Sequence, residues 1–232
     1  MRKHIPNLIT LLNLLLGSTA LVALFAERPQ TAVLLFFAAG LADFCDGLTA
    51  RLLKAKSAVG KELDSLADMV SFGLLPAAAL YQLLQDALPS PTPLDWRSLL
   101  AFLLAASAAL RLARFNLDKR QEQDFIGLPT PATALFFMGL LLIHSHQSTN
   151  WSALLENPIL LYVALLLFSA LQLAPLKLFS LKFQGLSWKK NAFRYTFVLT
   201  FMALLLWLRE FAIPLGILWY VVLGILKQSR KN

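Results

Sequence analysis

The chain has 232 residues, of which 58% are hydrophobic and 15% charged, with a formal net charge of +8. Apolar stretches of roughly 17 to 25 residues, long enough to cross a bilayer, recur along almost all of it, which excludes a soluble enzyme, a disordered chain and a soluble nucleic-acid-binding domain. Cys45 is the only cysteine, which excludes an intramolecular disulfide framework and a Cys-rich metal site.

Taken in chain order, the hydropathy pattern predicts membrane spans at 5–26, 30–52, 64–84, 98–116, 131–147, 157–175, 192–208 and 211–226. Together they read as one all-α polytopic membrane domain covering residues 1–232. The first span follows Met1-Arg2-Lys3, and its length, with many spans behind it, favours a membrane helix over a cleaved signal peptide. The second span carries Asp43 and Asp46 near its end, and the third carries Asp64 and Asp68 at its start. Pro89-Ser90-Pro91-Thr92-Pro93 marks the turn before the fourth. His144 and His146, at the end of the fifth, read as loop residues on the side opposite the aspartates. The segment from Lys177 to Arg194, interleaved with Phe179, Phe183 and Trp188, reads as an interfacial loop held on anionic lipid by cations and aromatics. The last two spans are short, and Arg209-Glu210 with Pro214 also fits one long broken element, which would move the C-terminus across the membrane.

Charge separates those two topologies, because Lys and Arg accumulate in short cytoplasmic loops. With eight spans, only Arg28, Arg97 and Arg209 of the 21 Lys and Arg fall on the non-cytoplasmic side. Both termini then lie in the cytoplasm, and the positive charge reads as topology and contact with lipid headgroups. The compact size and the absence of an organelle-targeting signal point to a bacterial cytoplasmic membrane.

An aspartate at a helix centre costs about 2.5 to 3.5 kcal/mol on insertion scales, so four of them argue for a cation, a partner or a polar cavity. Asp43, Asp46, Gly47 and Ala50 stand at offsets of three, four and seven on one face of the second span, and Gly60, Asp64 and Asp68 at four and eight on the third. A cytoplasmic connection joins the two groups, so the helices are expected as antiparallel neighbours with converging carboxylates. Four such groups cannot all stay ionised at close range without compensation. Oxygen-only ligation favours Mg²⁺ or Mn²⁺ over zinc, and two such ions would clamp both oxygens of an in-line phosphoryl displacement. Gly47, Ala50 and Gly60 leave room for a planar group or a backbone approach. Arg51 can fork onto a phosphate.

The string Asp-x2-Asp-Gly-x2-Ala-Arg-x8-Gly-x3-Asp-x3-Asp, met without departure at Asp43, Asp46, Gly47, Ala50, Arg51, Gly60, Asp64 and Asp68, resembles the signature of the CDP-alcohol phosphotransferases. The resemblance implies an intramembrane enzyme that moves a phosphatidyl or similar group from a CDP-linked lipid to an alcohol and releases CMP. It also implies a homodimer, four aspartates that hold the metals, and Asp68 as the base. The stretches Pro6 to Asn13, Ala67 to Gly73, Leu110 to Asn116 and Gly127 to Ala132 resemble the phosphatidylserine synthase branch, as eight spans do. That branch implies CDP-diacylglycerol and L-serine as substrates. On this reading Gly47, Ala50, Arg51, Gly60 and Ser57 cradle the nucleotide, while Asn7 and Thr10 reach its phosphates.

Serine carries a carboxylate, so its pocket needs a fixed cation. Arg111 and Arg114, with Asn116 just beyond, are the candidates at the cytoplasmic end of the fourth span. Snorkelling positive-inside anchors would look the same, a reading that suits Arg111 better than Arg114. Ser71 shares a face with Asp64 and is a further acceptor candidate, although serines also serve in helix packing. Sister enzymes that use glycerol phosphate, inositol phosphate or choline would share the signature. Prenyltransferase acidic motifs lack the Gly-x2-Ala-Arg insertion, and a divalent-cation transporter would spread its acids through the membrane depth. No His-x-Lys-x4-Asp pair occurs for a covalent-histidine route.

Overall fold

The computed structural model describes residues 4–55, 57–89, 92, 94–117, 125–146, 155–178 and 188–229. Its helices are α1 (Ile5–Phe25), α2 (Pro29–Leu52), α3 (Ala58–Asp68), α4 (Leu75–Ala87), α5 (Trp96–Leu99), α6 (Leu103–Leu117), α7 (Thr130–Ser145), α8 (Pro158–Leu173), α9 (Trp188–Leu208) and α10 (Ala212–Ser229). A π-helical turn, Met69–Leu74, joins α3 to α4, and a 3-10 turn, Leu100–Phe102, joins α5 to α6, so each pair forms one rod. Helical runs therefore stand at every predicted span. Among the described residues, five stretches are long and apolar enough to cross a membrane by length and composition, and α7 and α8 are shorter apolar helices. The extended pairing among the described residues is two residues long: Phe125–Ile126 (β1) lies antiparallel to Lys177–Leu178 (β2), with Phe125 opposite Leu178.

Lipid as solvent dictates which side chains turn inward. Leu8, Leu15 and Val22, seven residues apart on α1, are 64%, 64% and 67% exposed, whereas Thr10, Asn13, Gly17 and Ala20 are buried. On α2, Leu34 and Leu41 face outward while Ala32, Ala39 and Ala42 are buried. Apolar side chains gain little by leaving lipid tails, so small residues that admit close backbone packing take the interior. At the centre, Phe136 stacks on Phe168 with ring centroids 4.1 Å apart.

Three boundaries differ from the hydropathy reading. The third run begins at Ala58, because the Ser57 hydroxyl accepts the Gly60 N–H at 3.0 Å and caps a polar first turn. Hydropathy locates the membrane edge, whereas capping locates the helix start. The ninth helix begins at Trp188, so Arg194 is a buried helical residue and not part of an interfacial loop. Phe179, Phe183 and residues 180–187 of that expected loop lie outside the described residues. His144 and His146 are the last turn and C-cap of α7, and His144 Nε2 lies 2.9 Å from Asp86 Oδ2.

The last two helices fold back on each other. Arg209 has a φ of 48° and opens a 3-10 turn, Arg209–Phe211. Beyond it Trp219 Nε1 donates to Thr200 Oγ1 at 2.8 Å, the Phe197 and Tyr220 rings meet edge to face at 5.8 Å, and Gly216 lies against the Phe201 ring. Numbers that fall along α9 as they rise along α10 define an antiparallel hairpin, which excludes one long element.

Gly127 follows β1 with a φ of 79°, and its N–H donates to Leu176 O at 2.9 Å. A Cβ there would collide with the Gln172 carbonyl oxygen and lie 3.1 Å from the carbonyl carbon. Gly127→Ala should therefore lower the unfolding transition of detergent-solubilised protein by about 1–3 kcal/mol, the cost of a non-glycine residue held at positive φ. Gly47→Ala, with nothing within 4 Å of the new methyl, should not lower it.

Candidate metal and substrate site

The site is assembled around α1. This helix packs along both α2 and α3, whereas α2 and α3 have little direct backbone contact. The expected pair of neighbouring helices is thus a pair splayed over a third. Across that wedge, one carboxylate oxygen each from Asp43, Asp64 and Asp68 lie within 4.8 Å of one another. The Asp43 side chain touches both of the others.

Asp46 lies outside that group of three. It is 5% exposed and rests against Thr10 and its own following amide, Gly47. Asp46 Oδ2 and Asp68 Oδ1 are buried with no hydrogen-bond partner among the described residues. No Lys or Arg among the described residues forms an ion pair with any of the four. A buried carboxylate left without a donor is strongly unfavourable, and an all-oxygen donor set suits a hard divalent cation. The residues present fit such an ion.

The residues expected to cradle a nucleotide are gathered at the aspartate-bearing end of the bundle, near the start of α1, the end of α2 and the start of α3. Asn7 and Ser57 converge on Gly60, where an added Cβ would lie 2.9 Å from Asn7 Oδ1 and 2.9 Å from Ser57 Oγ. Gly47 is exposed beside open space, and its carbonyl accepts from Arg51 Nε at 3.0 Å. Thr10 is buried, its hydroxyl donating to Pro6 O at 3.0 Å. Ala50 is half-buried.

The acceptor candidates separate. Arg111 is 7% exposed, which excludes a snorkelling anchor. Its Nη1 donates to Thr130 Oγ1 at 2.9 Å, its Nε has no partner among the described residues, and it interacts electrostatically with Asp68 and Tyr220. Arg114 is exposed, as an anchor would be. Asn116 is committed to α3: its Nδ2 donates to Ser65 Oγ at 2.9 Å and its carbonyl accepts from Lys61 Nζ at 2.8 Å. Ser71 is fully buried and donates to Asn13, which takes it out of any pocket.

Sequence reasoning passed over Asn13, Thr130 and Tyr220. Asn13 continues the Thr10 face of α1 one turn on, a signal legible in the spacing. Thr130 lies in the Gly127 to Ala132 stretch, but nothing in the pattern pairs it with Arg111. Tyr220 is more remote still and carries no local signal.

Comparison with known proteins identifies the family. The profile of the family described as CDP-alcohol phosphatidyltransferase matches residues 3–170. The chain is 37% identical over 154 residues to a Mycobacterium leprae protein named CDP-diacylglycerol--serine O-phosphatidyltransferase, covering 63% of this chain and 49% of that one. A Bacillus subtilis protein of the same name is 36% identical over 141 residues, covering 61% and 74%. One from Methanocaldococcus jannaschii is 28% identical over 227 residues, covering 97% and 94%. The chain spans about half the length of the mycobacterial relatives it matches.

Loss of one oxygen ligand should be visible without turnover. Asp43→Asn or Asp64→Asn should weaken Mn²⁺ binding, followed by the loss of the free-ion electron paramagnetic resonance signal, by more than the roughly 10–100-fold that outer-shell changes cost. Asp86→Asn, at the opposite end of the bundle, should leave it unchanged.

Proposed function

Because the chain belongs to the CDP-alcohol phosphatidyltransferase family, we propose that it transfers the phosphatidyl group of CDP-diacylglycerol to the hydroxyl of L-serine, giving phosphatidylserine and CMP. The observation that carries the reading is the convergence of Asp43, Asp64 and Asp68 within 4.8 Å of one another, with the buried Arg111 electrostatically linked to Asp68. The names of the relatives support serine as the acceptor. The basic residues support a site at the cytoplasmic face of the inner membrane, with both termini on that side.

On this reading the acyl chains lie in the inner leaflet and the diphosphate reaches the aspartates. Asn7, Ser57 and Gly60 receive the nucleotide from one side, and Gly47, Ala50 and Arg51 from the other. The three clustered aspartates would hold one Mg²⁺ or Mn²⁺, and Asp46, with its partnerless oxygen, would help to hold a second. Such ions would supply neutralisation of the diphosphate and of the charge on departing CMP. Arg111 fixes the serine carboxylate, with Thr130 holding the guanidinium in place. Asp68 takes the proton from the serine hydroxyl, whose oxygen forms the new bond to the lipid phosphorus as the bond to the CMP oxygen breaks.

Purified protein given CDP-diacylglycerol, Mn²⁺ or Mg²⁺ and one alcohol at a time tests this. CMP released with serine alone supports the synthase. Release with glycerol phosphate, inositol phosphate or choline corrects the acceptor, and no release with any alcohol overturns the reading. Asp68→Asn should lower the rate by about 10² to 10⁴-fold, the range for a general base. Arg111→Met should raise the KM for serine about 10–100-fold, as loss of a charged hydrogen bond does, while leaving the KM for the CDP-lipid near wild type.

A further inference from the structure

The π-helical turn directly follows Asp68. Pro76 explains it locally: proline offers no N–H and its ring crowds the carbonyl one turn back, so the ladder opens before it. Relaxing the extra residue of such a turn into α-helix rotates one side against the other by about 100°. On the far side α4 is anchored in the core, with Leu75, Leu80, Leu83 and Leu84 at 1% exposure or less. The freedom therefore falls on the Asp68 side, and the register of the turn decides where that carboxylate stands.

Two contacts pin that register. Phe72 meets Phe36 of α2 edge to face, ring centroids 5.9 Å apart. On the other side the Ser71 hydroxyl donates to Asn13, 2.7 Å from Oδ1 and 3.2 Å from the backbone carbonyl, with both residues fully buried. One turn on, Gly17 brings α1 so close that an added Cβ would collide with Ser71 Oγ and stand 3.0 Å from its Cβ and 3.1 Å from its Cα. The same face of α1 supplies Thr10 to Asp46. A hydrogen bond in a water-free interior has no solvent competitor, so this pair is a stiff link between the first helix and the turn behind Asp68.

We propose that Asn13 and Ser71, closed by Gly17, are positioning residues that hold the π-helical turn in register and thereby set Asp68 against Asp43 and Asp64. They touch no reacting atom. The inference rests on the metal-site reading above.

The test uses the full chain and Mn²⁺ alone, with affinity read by electron paramagnetic resonance and stability by thermal unfolding. Ser71→Ala removes the hydrogen bond and keeps the packing; Gly17→Ala pushes the two backbones apart. Ser98→Ala is the control, an equally buried serine at the other end whose hydroxyl donates to Asp95 O at 2.9 Å. Ser71→Ala and Gly17→Ala should weaken Mn²⁺ binding at least about 10-fold, the low end for outer-shell changes. Ser98→Ala should lower the unfolding temperature without altering affinity. Unchanged affinity in Ser71→Ala, or an equal loss in Ser98→Ala, overturns the positioning role while leaving the metal site standing. A wild-type chain that binds no Mn²⁺ overturns the metal reading, and this inference with it.

Discussion

Carboxylates held inside an apolar bundle require a positive partner, and the architecture at the aspartate end follows from that requirement. No lysine or arginine among the described residues pairs directly with the four aspartates; three of them crowd within 4.8 Å, and buried oxygens of Asp46 and Asp68 lack donors. Folding such a constellation without a cation is costly. What keeps it assembled is the first helix, a wedge that supports α2 through Thr10 and the turn behind Asp68 through Asn13 and Gly17. Close approach there depends on a missing side chain: at Gly17 even a methyl group has no room.

At the end opposite the aspartates, many polar groups find partners within the protein, although Gln82 Oε1 and His144 Nδ1 have none among the described residues. Asp95 caps α5 and forms a 2.6 Å ion pair with Arg97, whose guanidinium hydrogen bonds hold the Asp95 carboxyl below its usual range. Gln85 donates to Tyr81, Thr92 and Ser98, and the Tyr162 hydroxyl donates to the Arg97 carbonyl. At the aspartate end, buried polar groups are also left open: Arg111 Nε and both polar atoms of Gln172 have no partner among the described residues. Satisfied networks rigidify a structure, whereas unsatisfied ones are retained where a ligand completes them.

Much of this was legible in the linear chain because lipid imposes strong rules on it. Span positions follow from hydropathy, and the acidic face from spacings of three and four that any helix converts into a stripe. Where the reading slipped, a local interaction overrode composition. The Ser57 cap starts α3 in polar sequence, and α9 begins at Trp188, inside the segment expected as a loop, whereas the break at Arg209 falls between the two spans expected there.

The sequence by itself determined the membrane class, the four aspartates and the glycines that leave room beside them, because each depends on residues within one or two turns of one another. Tertiary structure alone decided that α1 stands between α2 and α3, that Ser71 is bound to Asn13, and that Arg111 is buried against Thr130 and linked electrostatically to Asp68. Those relations join residues 19 to 58 positions apart in the chain. Helical periodicity says which way a side chain points but not which helix it will meet, and that choice belongs to packing.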